Sequence, residues 1–149
     1  MIKGSCACGR VQYQTAAQPL GVSACHCGTC QKIAGSAFLV FADFPLEELQ
    51  WTHQPPDLWK RSEIAERGFC KQCGSSMSMR YYEESDRIAV TLGTMELGGS
   101  GTAMPSIGAH IFLKEKAPWF VLPDDGAERW DEFSPRSKMS SSNGKQRDG

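Results

Sequence analysis

No stretch of this chain approaches the ~20 consecutive apolar residues that a membrane helix needs, so no spanning helix is expected. Positive charge is not in surplus either. The chain has 16 Lys and Arg against 17 Asp and Glu, a formal net charge of −1. A nucleic-acid backbone or an anionic lipid surface calls for a basic face, so neither is an expected partner. The opening residues, MIKGSCAC, carry no apolar secretory core and no Arg-rich leader, and the expected location is cytoplasmic. Internal repeats and long helical periodicity are also missing. What remains is 149 residues with 40 % hydrophobic content, enough for one folded domain with one core.

Short β-type runs fill most of that length. Val11–Thr15 alternates, Ala37–Phe41 is a continuous apolar run, and Met77–Tyr82 and Arg87–Leu92 flank a polar turn. Ala109–Leu113 is the last clear strand. Turn residues separate these runs, as in an all-β domain. Helix is scarce: one turn over Gly28–Ala34, and a short helix over Pro45–Leu49 started by its proline. The folded domain is expected over 1–133. The remainder, 134–149, reads SPRSKMSSSNGKQRDG, a disordered polar tail.

Chemistry is concentrated in seven cysteines: Cys6 and Cys8, then Cys25, Cys27 and Cys30, then Cys70 and Cys73. Each lies within three residues of another. Thiols this close make strained disulfides, whereas a tight turn can aim two sulfurs at one ion about 2.3 Å away. A structural zinc takes four protein ligands, and a catalytic zinc takes three with one position open. Parity therefore favours a division into four and three, although spacing alone does not settle it. The outer pairs, Cys6/Cys8 and Cys70/Cys73, would form a closed structural site joining distant parts of the chain. Two Zn²⁺ and seven thiolates add +4 and −7, moving the net charge from −1 to about −4.

The central segment Ala24-Cys25-His26-Cys27-Gly28-Thr29-Cys30-Gln31-Lys32 supplies three sulfurs and no obvious fourth ligand. Alternation points His26 away from a metal held by its neighbours. Two readings stay open here. In one, an external thiol enters an open position, is deprotonated and is poised to attack a carbonyl. In the other, the cluster is a second structural zinc closed by His or solvent. Lys32, Thr29 and His26 flank the cluster. His110, on an apolar strand, reads as a hydrogen-bonded core histidine. Trp51, Trp59, Trp119 and Trp130 lack the interleaved basic residues of a nucleic-acid stacking platform and are expected in the core or lining a pocket.

The segments GSCACGRVQY, CHCGTCQKIAGSAF, GFCKQCGSSM and AHIFLKEKAPW occur in that order. Together they resemble the glutathione-dependent formaldehyde-activating enzyme family, which shares its domain with centromere protein V. The resemblance implies a mainly β fold of several small coiled antiparallel sheets stapled by zinc, of the Mss4-like or β-tent type, with few short helices. It implies a structural zinc on Cys6, Cys8, Cys70 and Cys73, and a catalytic zinc on Cys25, Cys27 and Cys30. The implied activity is that of a carbon–sulfur lyase. It joins glutathione to formaldehyde, or a similar thiol to a small aldehyde, with the thiol sulfur at the open zinc position. Against this stands a non-enzymatic zinc-stapled module that binds a protein partner. A nucleic-acid or cytoskeletal binder, suggested by the centromere protein kinship, lacks the basic patch it would need.

Overall fold

The computed structural model describes residues 1–96 and 105–135. In chain order the strands are β1 (Ile2–Ser5), β2 (Gln12–Thr15), β3 (Gly21–Cys25), β4 (Leu39–Pro45), β5 (Leu49–Trp51), β6 (Asp57–Trp59), β7 (Ala65–Phe69), β8 (Ser76–Tyr81), β9 (Arg87–Thr91), β10 (Ala109–Ile111) and β11 (Glu128–Arg129). One α-helix, α1 (Gly28–Ala34), occurs among the described residues. The chain is thus mainly β, built of several small sheets. The expected helix at 45–49 is only a 3-10 turn, Leu46–Glu48, because Pro45 itself is extended at ψ 129°. Most of the expected tail, 136–149, lies outside the described residues.

Two compact units make up the fold. The first comprises Met1–Gly21 with Ala42–Pro105, and the second Val22–Phe41 with Ser106–Gly149, as far as these are described. In the first, β2 is the centre of an antiparallel sheet between β1 and β5. Its alternating sequence turns Tyr13 and Thr15 inward and Gln12 out. The buried Tyr13 ring stands edge-on to Trp51, centroids 5.8 Å apart. Its hydroxyl shares a 3.0 Å hydrogen bond with Thr94 Oγ1. Gly4 faces Tyr13 across the register, and the ring occupies the space a side chain at Gly4 would need.

The same unit holds an antiparallel ladder, β6-β7-β8-β9. Met77 and Val90 are fully buried in it. Strands β7 and β8 form a hairpin whose connecting turn carries Cys70 and Cys73, and the register shifts at Gly68/Phe69 just before that turn. Such a bulge bends one strand and re-aims the residues beyond it.

In the second unit, β10 lies between β3 and β11 and runs parallel to both. This departs from the antiparallel pairing expected throughout. The long sequence separation of β3 from β10 leaves no hairpin to impose an antiparallel register. Ala109, His110 and Ile111 are all buried, as a central parallel strand requires. Ile111 is paired with Cys25 and His110 with Ala24, which sets β10 beside the central cysteine segment.

Packing at Gly4 and burial at Asp43 can each be tested. Gly4→Ala should cost about 1–3 kcal/mol, the usual range for forcing extra atoms into a packed core. Gly21→Ala, with open space around its Cβ, should cost much less; equal denaturant midpoints for the two variants would contradict the packing account. Asp43 on β4 has its pKa raised from 3.8 to about 6 by burial, with Arg87 opposing and Glu84 adding to the rise. The folded pKa lies above the unfolded one. The stabilising neutral form is therefore fully present below about pH 4 and lost as pH rises through about 6. Asp43→Asn should raise the melting temperature more at about pH 7.5 than at about pH 4.5, a difference that paired calorimetric scans would resolve.

Candidate functional site

All seven cysteines carry free thiols and fall into two groups, each with its sulfurs within 4.8 Å of one another. Cys6, Cys8, Cys70 and Cys73 form one, inside the first unit. Cys25, Cys27 and Cys30 form the other, inside the second. This is the division into four and three that parity favours.

The four-cysteine group is made by two tight turns. In the first, Gly9 N–H donates to Cys6 O and Val11 N–H donates to Cys6 Sγ at 3.2 Å. In the second, Gly74 N–H donates to Cys70 O at 2.7 Å. Gly9 and Gly74 have φ of +82° and +80°, a region that glycine enters without a Cβ clash. Each turn can therefore fold back on its own sulfur. The Ala7 N–H donates to Ser75 Oγ at 3.0 Å and joins the two turns. Asp57 braces them from outside, pairing with Arg10 at 3.1 Å and accepting from Lys71 N–H at 3.4 Å.

Sulfur–sulfur distances test whether a metal fits. Cys6 and Cys8 are 3.6 Å apart, Cys8 and Cys70 3.8 Å. A disulfide would need about 2.05 Å. Four sulfurs placed tetrahedrally at about 2.3 Å from an ion lie about 3.8 Å from one another. The donor set and its spacing fit a four-coordinate thiophilic ion.

The three-cysteine group is local. Cys25 ends β3, Cys27 is the N-cap of α1, and Cys30 lies in the helix's first turn. Cys27 Sγ accepts from Cys30 N–H at 3.4 Å, so one sulfur both caps the helix and faces the cluster. All three are at most 5 % exposed. Hydrogen bonding with Cys27 and Cys30, together with burial and their charges, raises the Cys25 pKa far above the ordinary thiol range. Three such thiols cannot all ionise without a cation among them, and a divalent ion reverses that penalty. Among the described residues, no His, Asp, Glu or further Cys joins this group.

The chain around the cluster is tied down from β10 and its following turn. His26 N–H donates to Ile111 O at 3.0 Å. Phe112 takes φ +57°, ψ +38°, unusual for a bulky residue, and begins the 3-10 turn Leu113–Glu115. Glu115 then accepts from Gly28 N–H at 3.2 Å through its carboxylate, and from Gln31 Nε2 at 2.8 Å through its backbone oxygen. The same Gln31 Nε2 donates to His26 O at 2.7 Å.

His26 turns away from the sulfurs, as alternation suggests. Its Nε2 lies 2.9 Å from His110 Nδ1, and His110 Nε2 lies 2.8 Å from Asp125 Oδ2. His110 is thus the hydrogen-bonded core histidine expected of it. Burial, and then the charges of His110 and Lys116, lower the His26 pKa to about 4. The Asp125 carboxyl is lowered by its bond from His110 and then by Ala127 N–H. The His26 ring packs against Phe38 and Phe120, with centroids at 4.9 and 6.0 Å. This chain of side chains is not legible in the sequence; only the polar His110 within an apolar strand hints at it.

The remaining candidate residues stand in half-buried or exposed positions. The third histidine, His53, is exposed in the first unit. Lys32 is exposed in the last turn of α1, and Thr29 is half-buried in its first turn. The tryptophans are not uniformly core. Trp119 is 69 % exposed, and Trp59, on the edge strand β6, is 46 % exposed.

Comparison with known proteins adds three findings. Residues 1–115 match the family model described as glutathione-dependent formaldehyde-activating enzyme. A curated Schizosaccharomyces pombe protein, named an uncharacterized lyase, is 28 % identical over 79 residues. That match covers 53 % of this chain and 57 % of the yeast protein, just over half of each. A solved Rhodobacter sphaeroides protein superposes with a TM-score of 0.56 at 18 % identity, covering 86 % of this chain and 98 % of that one. It speaks to the fold alone.

Cys70→Ser should release one equivalent of bound metal and lower the melting temperature sharply, since the four-sulfur site joins turns 62 residues apart. Metal analysis beside a thermal melt checks it. A variant one metal short with an unchanged melt would refute the structural role.

Proposed function

The chain belongs to the glutathione-dependent formaldehyde-activating enzyme family, and on that premise we propose that it is a carbon–sulfur lyase acting on the adduct of a thiol with a small aldehyde. Glutathione and formaldehyde are the substrates the family name carries. The observation that supports this reading most is the buried set Cys25, Cys27 and Cys30, which no fourth donor joins among the described residues. A structural site closed entirely by protein ligands needs such a donor.

Zn²⁺ is the ion that best suits both cysteine sets: soft thiolates in a four-donor and a three-donor arrangement. Bound by Cys25, Cys27 and Cys30, it would supply an open position at which a thiol is held as thiolate near neutral pH. The reaction needs little else. The thiolate sulfur forms a bond to the aldehyde carbon, the carbonyl π pair moves to oxygen, and that oxygen takes a proton. The product is a hemithioacetal, and the lyase direction is the reverse.

The chain's own residues fix the geometry. Cys27 holds the helix start and Glu115 satisfies Gly28 N–H. Gln31 clamps the backbone of His26 to that of Glu115. The three sulfurs thereby sit on a braced turn, and their burial keeps bulk water off the cluster. A reducing compartment such as the cytosol suits thiolate sites of this kind. Cys6, Cys8, Cys70 and Cys73 serve the fold as the structural site.

The test is the rate at which glutathione and formaldehyde equilibrate with S-hydroxymethylglutathione, with and without zinc-loaded protein. The protein should accelerate it. Cys27→Ser should abolish the acceleration and weaken glutathione binding at least tenfold, while serine keeps an N-cap acceptor for α1. Equal glutathione affinity in the two proteins would count decisively against the site. A central zinc with four protein ligands by X-ray absorption would favour a non-enzymatic binding module instead.

A further inference from the structure

Five of the seven thiols are buried, and the two exposed ones, Cys8 and Cys73, belong to the same four-sulfur group in the first unit. Exposure divides that group by side and not by turn. Each of its two turns contributes one buried sulfur, Cys6 or Cys70, and one exposed sulfur, Cys8 or Cys73. The exposed pair therefore bridges the turns.

The two exposed residues also touch. The Cys8 and Cys73 sulfurs interact directly, and the backbone N–H of Cys8 is directed at the Cys73 sulfur. Ser75 Oγ lies 3.2 Å from Cys73 Sγ and accepts from Ala7 N–H at 3.0 Å. The backbone before Cys8 and the turn after Cys73 are held together through that one hydroxyl.

A thiol reacts with a soluble oxidant when the oxidant can reach it. Cys6, Cys70, Cys25, Cys27 and Cys30 are shielded by burial. A bond within either turn would need one of those buried sulfurs, and short loops strain it. Cys8 with Cys73 joins two accessible sulfurs from separate turns, already within 4.8 Å of one another. An S–S bond of about 2.05 Å asks them to close by less than about 3 Å, within reach of side-chain rotation at the surface.

We propose that Cys8 and Cys73 are an oxidative modification site, which hydrogen peroxide converts to a disulfide that replaces the metal ion as the link between the two turns. One exposed thiolate attacks a peroxide oxygen. The O–O bond breaks, a sulfenic acid forms, and the other oxygen takes a proton and leaves as water. The second thiolate then attacks the sulfenic sulfur. The S–S bond forms as the hydroxyl takes a proton and leaves as a second water. Peroxide is reduced by two electrons and the thiolate pair is oxidised by two. Two of the four donors are then spent, and Cys6 and Cys70 alone make an incomplete site for a four-coordinate ion. The chain between the turns stays closed, because the disulfide spans the same two turns. A small thiol restores the original pair by exchange. This site is independent of the lyase reading, since it uses the four-sulfur group alone.

The test treats the zinc-loaded, full-length protein with increasing hydrogen peroxide. One equivalent of zinc should be released, read with a metallochromic indicator, while the intact mass falls by two hydrogens. Alkylation after denaturation should find two of the seven thiols lost. Trypsin cuts after Lys71, which puts Cys70 and Cys73 in different peptides, and fragmentation of the 4–10 peptide separates Cys6 from Cys8. The map should join Cys8 to Cys73. With EDTA present, the oxidised protein should melt above the same sample reduced with dithiothreitol.

A disulfide within either turn, or one that includes Cys25, Cys27 or Cys30, overturns the proposal. So does oxidation of Cys8 or Cys73 to a sulfinic acid without an S–S bond. Zinc retained with all seven thiols intact overturns it, as does zinc released without thiol loss. An oxidised protein that melts no higher than its reduced, chelated form overturns the replacement of the metal link by the disulfide.

Discussion

Mutual repulsion among close sulfurs is the constraint on which the rest of this structure depends. Seven thiols stand in two groups, each within 4.8 Å, and five of the seven are buried. Buried anions so close together cannot persist without a cation, and a disulfide does not fit the 3.6 and 3.8 Å separations seen in the outer group. The turns that carry the sulfurs are specialised accordingly. Left-handed glycines at Gly9 and Gly74 and backbone donors to Cys6 Sγ and Cys27 Sγ spread negative charge into the peptide groups. The local structure is thus shaped for thiolates before any ion is considered.

The two groups differ in how much chain they close. Cys8 and Cys70 lie 62 residues apart. Closing a loop of that length restricts the unfolded chain by about 4 kcal/mol, a contribution a small β domain can use. The central sulfurs come from six consecutive residues at the end of β3 and the start of α1. Little loop entropy is at stake there. The segment after β10 holds the central turn instead, through Ile111 O, Glu115 and Gln31. A site fixed by protein contacts, rather than by the ion alone, can leave one position of the ion to a substrate.

Metal-ligand chemistry leaves a short-range signature, and so the cysteine grouping is legible in the sequence. C-x-C, C-x-C-x-x-C and C-x-x-C each place sulfurs on one turn, and parity assigns the rest. Helix α1 is legible as the single helical turn of the cysteine segment, and strands β8 and β9 from their runs across a polar turn. The parallel placement of β10 is not. A three-residue strand, Ala109–Ile111, has no period to read, and its partner β3 lies more than 80 residues away. The same distance hides the link from His26 to His110, 84 residues apart, although a histidine on an apolar strand already implies a buried partner. Asp125 carries no sequence mark at all: it sits in an ordinary polar loop next to Gly126. The exposure of Trp119 and Trp59 is hidden for a related reason, since burial of an aromatic depends on what lies above it and not on its neighbours in sequence.

Two chemically opposite edges meet at the central segment. Cys25 and Cys27 present soft donors that concentrate negative charge, whereas His26 between them faces the other way into a chain ending at a carboxylate. A strand-like alternation produces this without any special backbone: neighbouring side chains of an extended segment point to opposite sides. One three-residue stretch therefore presents sulfurs on one side and a hydrogen-bond chain on the other. Any movement of His26 must be felt by the sulfurs, because the same backbone carries both and is clamped at His26 N–H and His26 O. A purely structural metal site gains nothing from such coupling, since its ligands need only stay in place.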